Sequence, residues 1–334
     1  MSDPMTDPTA DVSAKPPAAP SPVTSSATPR HHYIALGVMV AFFALAPLVA
    51  YPVFLMKAMC FALFACAFNL LIGYVGLLSF GHAMFLGSAG YATAHAAKIW
   101  GLPPEAAILF GTAVAGALGL AVGWLAIRCQ GIYFSMITLG FAQMVYFFCL
   151  QSKLTGGEDG IQAVPRGKLL GFLDLNDMTT MYVFVLVLFV AGFLMIYRII
   201  DSPFGQVLKA IRENEARATS LGYKPDQYKL IAFVLSAALA GLAGGTKSIV
   251  FQLASLTDVH WTMSGEVVLM VLLGGLGRVY GPVVGALLIV AVESYLAQLG
   301  PWVTVVQGCT FVFCVLAFRQ GIIGELSRVL KKPL

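Results

Sequence analysis

Charged side chains are scarce in this sequence. Asp, Glu, Lys and Arg make up 11% of its 334 residues, whereas a soluble domain carries roughly a quarter. That is too few to coat a water-soluble globule of this length, and a mean hydropathy of +0.84 places the surface in lipid. Alternation of polar and apolar positions is lacking too. The stretch 181–200, apolar apart from Arg198, excludes the two-residue repeat of a membrane barrel. Backbone polar groups in hydrocarbon must be satisfied within their own segment, which leaves helices. The composition predicts an all-α polytopic membrane protein.

Chemistry-bearing motifs are missing as well. The six cysteines (Cys60, Cys66, Cys129, Cys149, Cys309 and Cys314) lie in or beside apolar stretches without C-x-x-C spacing, so they read as small apolar filler. No Ser/His/Asp order, H-E-x-x-H or paired-carboxylate spacing points to an enzyme. Two Gly-rich stretches imitate nucleotide loops and fail. Thr246 stands where a phosphate loop needs Gly before Lys247, and Tyr280 stands where G-x-G-x-x-G needs its last Gly. The net charge of +4 comes from basic residues gathered at span boundaries and implies no nucleic acid.

What is present is a series of bilayer-length apolar segments. Residues 1–32 are rich in Pro, Ala, Ser and Thr and read as a disordered tail. A cleaved leader is the rival reading, because Arg30, His31 and His32 precede an apolar run, but the tail is long for one. Spans are expected at 33–50, 53–72, 77–97, 105–127, 132–150, 181–198, 229–247, 264–276, 282–298 and 302–318. These give about ten transmembrane helices in a domain of 33–320, before a tail at 321–334. Lys57, Lys98, Lys153, Arg166, Lys168 and Lys247 fall on one side of this layout, and the other Lys and Arg, more than twice as many, on the opposite side. Positive charge collects on the cytoplasmic side. Both termini and the loop 201–226 are therefore expected in the cytoplasm, and 151–180 outside. Gly111, Ala115, Gly119 and Gly123, the pair Gly241 and Gly245, and the pair Gly281 and Gly285 form small-residue stripes suited to close helix packing.

The loop 201–226 is the most informative stretch. Ser202 and Pro203 suit a helix start. Val207, Ile211, Ala218 and Leu221 share one face of a helix over 203–221, with Lys209, Arg212, Glu213, Glu215 and Arg217 as its charges. A helix resting on lipid headgroups is the bland reading. Mixed signs favour docking to a cytoplasmic protein. The segment Gly274, Gly275, Gly277, Arg278, Gly281 and Pro282 reads as a tight cytoplasmic turn between two half-length spans, where transporters place irregular backbone around a cavity. Asn69, Ser79, His82 and Glu266 are candidates for a translocation path, since a polar group in hydrocarbon costs energy unless it is used. Their alternative is an interhelical hydrogen bond that fixes packing. Thr155 to Ile161 forms a structured outer turn.

Five stretches, in series from about residue 50 to 325, resemble the LivM-type permease of branched-chain amino acid ABC importers. They are Asn69–Gly76 with Ser79–Ala83, Gly131–Phe134 with Thr138–Phe141, Thr155–Gly157 with Gly160–Ile161, Ser202–Gly205 running on through Ala210–Ala218, and Gly274–Gly285. The resemblance implies an ABC importer permease fold in the bacterial inner membrane, with 201–226 as the coupling loop. It implies a heterodimer with a sister permease, two cytoplasmic ATPase subunits and a periplasmic substrate-binding protein. Uptake of leucine, isoleucine or valine would be driven by ATP and Mg bound on the ATPases, with no cofactor in this chain. Urea or short amides are the alternative cargo within the same family. An ion-coupled secondary transporter would need more acidic residues inside the spans. The topology is checked by labelling introduced cysteines in intact cells: an impermeant thiol reagent is expected to reach Gln162→Cys and not Gln206→Cys, and the reverse pattern would overturn it.

Overall fold

The computed structural model describes residues 29–324, apart from positions 49, 130, 170, 172, 297–299 and most of 301–320. The tail at 1–28, residues 325–334, Cys314 and most of the expected span at 302–318 lie outside the described residues. The described chain runs through α1 (Pro29–Leu45), α2 (Pro52–Asn69), α3 (His82–Lys98), α4 (Pro104–Ala126), α5 (Ile132–Gln151) and α6 (Met178–Asp201). It continues through α7 (Pro203–Glu213), α8 (Glu215–Ser220), α9 (Pro225–Phe251), α10 (Trp261–Gly274) and α11 (Gly281–Tyr295). Proline stands in the first turn of α2, α4, α7, α9 and α11, where a missing N–H costs nothing and the fixed φ already suits a helix.

Among the described residues, five helices are long and apolar enough to cross a bilayer: Pro52–Val75, Pro104–Ala126, Ile132–Gln151, Met178–Asp201 and Pro225–Phe251. The apolar helices at 34–48, α10 and α11 are shorter. The span expected from residue 77 begins instead at His82. The chain leaves α2 through a six-residue π-helical segment, Leu70–Val75, and turns at Gly76 (φ +83°). Burial separates the helices into two kinds. The Pro52–Val75 span is 94% enclosed, whereas α5 is 28% enclosed and presents Ile132, Met136, Met144 and Phe148 outward. The first is a central post. The second wears an apolar coat that only lipid can cover at low cost.

Helices pack where small residues let them approach. A Cβ on Gly241 would overlap Ala115, and one on Gly119 would overlap Ala237, so the stripes on α4 and α9 face each other. Gly244 of α9 lies directly against the Leu86 carbonyl of α3, and Gly285 of α11 against the Met270 carbonyl of α10. The outer segment between α5 and α6 is stitched down. Strand β1 (Ile161–Gln162) pairs antiparallel with β4 (Leu253–Ala254) after α9, in the register Ile161↔Ala254 and Gln162↔Leu253, while β2 (Lys168–Leu169) and β3 (Leu173–Asp174) form a small hairpin. Arg166 donates to the Val250 carbonyl at 2.9 Å, Val164 N to Gln252 O at 3.0 Å, and Lys98 to Gln162 O at 2.7 Å.

Gly140 has open space around its Cα, which makes it a control for overpacking. Gly244→Ala is expected to destabilise the bundle by about 1–3 kcal/mol, visible as a lower melting midpoint in detergent, with Gly140→Ala close to wild type. Equal midpoints for the two would remove the α3–α9 contact as a constraint.

Candidate functional site

The segment between α6 and α9 is an elbow of two helices. Ser202 ends α6 and starts α7: its Oγ accepts from Gly205 N at 3.3 Å and donates to the Ile199 carbonyl at 2.6 Å. Gly205 rests on the carbonyl oxygens of Ile199 and Ile200, leaving no room for a Cβ. Leu208, Ile211 and Ala218 are buried, but Leu221, expected on that face, is 71% exposed. The single helix expected over 203–221 is broken at Asn214, whose extended backbone (φ −158°) ends α7 and whose Oδ1 caps α8 by accepting from Arg217 N at 2.9 Å. A short polar side chain at the break supplies the acceptor that the new helix start requires.

Three of the five elbow charges find partners on other elements. The Lys209 ammonium lies 5.6 Å from the Tyr74 ring centroid. The Arg212 guanidinium donates through Nη1 to the Gly73 carbonyl, and its aliphatic stem packs over Gly76, whose Cβ would stand 3.2 Å from Arg212 Cγ. Glu215 pairs with Lys229 of α9 at 2.6 Å; the Lys229 side chain is only 6% exposed. Of the charges expected outward, Glu215 is instead half-buried in its ion pair, and Arg212 is exposed as expected but spends its guanidinium on the Gly73 carbonyl. An enclosed ammonium requires a counter-charge, and the wide π segment offers a carbonyl to an outside donor. Glu213 and Arg217 remain exposed.

Arg212 reaches a junction that also contains the Gly-rich turn. The Asn69 amide uses both ends: Nδ2 donates to the Arg278 carbonyl at 2.9 Å, and Oδ1 accepts from Gly277 N at 3.0 Å. Gly275 (φ +119°) and Gly277 (φ +75°) take conformations that a side chain disfavours. Gly274 and Gly281 press together at the carbonyl of Gly281, and Pro282 opens α11. Gly321 sits against Gly275, so the beginning of the expected tail 321–334 is packed onto the turn. The π segment, a helix form concentrated at functional sites, thus joins the turn and the elbow. Asn69, expected on the path, belongs to this junction.

The other path candidates lie elsewhere. His82 is fully buried between the rings of Phe68, Phe85 and Phe233. Its Nε2 is 2.8 Å from Ser236 Oγ, which is 2.5 Å from the Ala67 carbonyl. The one hydroxyl proton goes to the carbonyl, so Nε2 carries a proton and donates to Ser236 Oγ. Ser79, also fully buried, accepts from Gly81 N at 3.3 Å. These two fix the start of α3, together with Ser264, which accepts from Ala83 N at 2.9 Å. Ser236, Ser264 and Lys229 were missed in the sequence; small hydroxyls and a lysine next to a helix start carry no local signal of burial. Glu266 lies in α10, in the field of Lys57, Lys247, Glu293 and Asp258. Lys57 is on the opening turns of α2, and Gly73 lies 16 residues further, about 24 Å along a helix. That separation places the charged group at the opposite end of the bundle from the junction.

A central helix sheathed by helices with exposed apolar faces, with an elbow bonded to one of its ends, is the architecture of a multi-pass membrane protein. The family described as branched-chain amino acid transport system / permease component matches residues 52–315, and the chain belongs to that family. It is a permease subunit of a transport system, not an enzyme. The high-affinity branched-chain amino acid transport system permease protein LivM of Escherichia coli K12 is 27% identical over 286 residues, covering 79% of this chain and 67% of the relative. A probable LivM permease of Methanocaldococcus jannaschii is 29% identical over 193 residues, 55% of this chain and 54% of the relative. A probable LivH permease of the same organism is 30% identical over 127 residues, 38% of each chain. No solved structure gives a significant match.

Asn69→Leu removes both bonds to the turn and is expected to cost about 1–3 kcal/mol. In inside-out vesicles, tryptic cleavage after Arg278 should accelerate severalfold. Asn69→Asp, which keeps an acceptor for Gly277 N, should fall between that variant and wild type, and unchanged cleavage in Asn69→Leu would remove the amide as the turn's anchor.

Proposed function

We propose that this chain is one permease half of an ATP-driven importer that carries branched-chain amino acids across the bacterial inner membrane. It pairs with a sister permease, two cytoplasmic ATPases that hold ATP and Mg, and a periplasmic binding protein. The layout is about ten spans with both termini in the cytoplasm. The relatives above are named as branched-chain amino acid permeases, which favours leucine, isoleucine and valine over urea or short amides. One observation carries the mechanism: Arg212 of the elbow is bonded to the Gly73 carbonyl, beside the turn that Asn69 holds. An ATPase that grips the elbow therefore pulls on the central helix and the α10–α11 turn together. The exposed charges Glu213 and Arg217 offer the grip. Lys209, Arg212 and Glu215 transmit it inward. The turn from Thr155 to Ile161 supplies the face that receives the binding protein.

Glu213→Lys combined with Arg217→Glu alters the grip without touching an inward bond. Uptake is expected to fall tenfold or more and ATPase copurification to weaken, while insertion and melting midpoint stay at wild-type values. Unchanged uptake and association would make the elbow a membrane rest.

A further inference from the structure

We propose that the charged group at the outer end of the bundle binds the ammonium and carboxylate of an amino-acid cargo, an inference that rests on the importer reading above. Lys57 of α2 and Lys247 of α9 both lie over the ring of Phe61, at 5.9 and 4.9 Å from its centroid. Lys57 pairs with Glu293 of α11 at 3.0 Å, and Lys247 pairs with Asp258, which follows α9. Glu266 of α10 feels all four charges. Three carboxylates thus face two ammonium groups, and among the described residues none donates a hydrogen bond or ion pair to Glu266. A partly buried carboxylate with no hydrogen bond or ion pair of its own is costly inside an apolar helix, and a bound ammonium would supply that direct partner.

The two existing pairs differ in how readily they exchange. The Lys247–Asp258 side chains are 15% and 13% exposed, whereas Glu293 is 41% exposed. Glu293 can be solvated when its partner leaves, so Lys57 is the cation free to take a cargo carboxylate while Lys247–Asp258 stays closed. A zwitterion then satisfies Glu266 and Lys57 at once; an amine or a carboxylic acid satisfies only one. A second observation points to the same place. Tyr91, 4% exposed, has a buried hydroxyl without a hydrogen-bond partner among the described residues, within the field of Asp258. It is an unused donor at the edge of the group. A divalent cation fits poorly, because among the described residues the carboxylates do not gather as metal ligands.

The test uses the complete importer purified with its partner ATPases but without binding protein, and tritiated leucine in equilibrium dialysis. Saturable binding is expected, competed by valine but not by 4-methylpentanoate, which lacks the ammonium, or 3-methylbutylamine, which lacks the carboxylate. Glu266→Gln and Lys57→Met should each weaken binding at least tenfold, while Glu266→Asp stays within about threefold of wild type. If Glu266→Gln does not insert, Lys57→Met reads the same quantity alone. Unchanged affinity in the variants, equal competition by either analogue, or no saturable binding by an importer that does transport leucine would overturn the site. An importer that transports no branched-chain amino acid, even with its binding protein, would instead overturn the functional reading on which the site rests.

Discussion

Asn69 is the constraint that holds the elbow end of this bundle together. Its one amide satisfies a backbone donor and a backbone acceptor of a turn more than 200 residues away. Within the turn the Arg278 N–H reaches the Gly275 carbonyl at 3.4 Å, while the Gly277 N–H and the Arg278 carbonyl are both taken by Asn69. The same residue crowds Gly73, where any Cβ would strike Asn69 Oδ1 and the Gly277 backbone. The carbonyl of Gly73 then accepts Arg212. A single buried amide thereby sets the spacing of the central helix, the turn and the elbow.

Burial explains why this arrangement concentrates on α2. Lipid provides no hydrophobic force between helices, so association depends on close packing and on a few polar bonds. The glycine faces of α4 and α9 supply the packing, and Asn69, Ser236 and Ser264 supply the bonds. His82 participates as a donor in a fully enclosed aromatic setting, which makes it part of the scaffold around the central post.

Much of the architecture was legible from spacing alone. Apolar segment lengths located the long helices, and the Gly-rich stretch at 274–281 read correctly as a turn between short helices. Local pattern could not show which way a charge points. Arg212 and Glu215 have the helical spacing of surface residues, yet their partners, the Gly73 carbonyl and Lys229, lie on other elements. The same limit applied to the break at Asn214, because Asn inside a helical period and Asn capping a new helix have the same one-letter signature. The π segment left no mark in composition, since Leu70–Val75 is as apolar as the helix it extends.

Helix α9 touches every part of this arrangement. Its inner end holds Glu215 through Lys229, its waist is pressed against Ala115 at Gly241, and its outer end carries β4 and the pairing to β1. It is a rod of 27 residues, about 40 Å long, packed along α4 from Leu230 to Gly245 and pressed closest at Gly244, against the Leu86 carbonyl of α3. A rod braced along so much of its length moves as one piece with its neighbours. A displacement imposed at the elbow would therefore arrive at the β1–β4 pairing undiminished, without any helix bending.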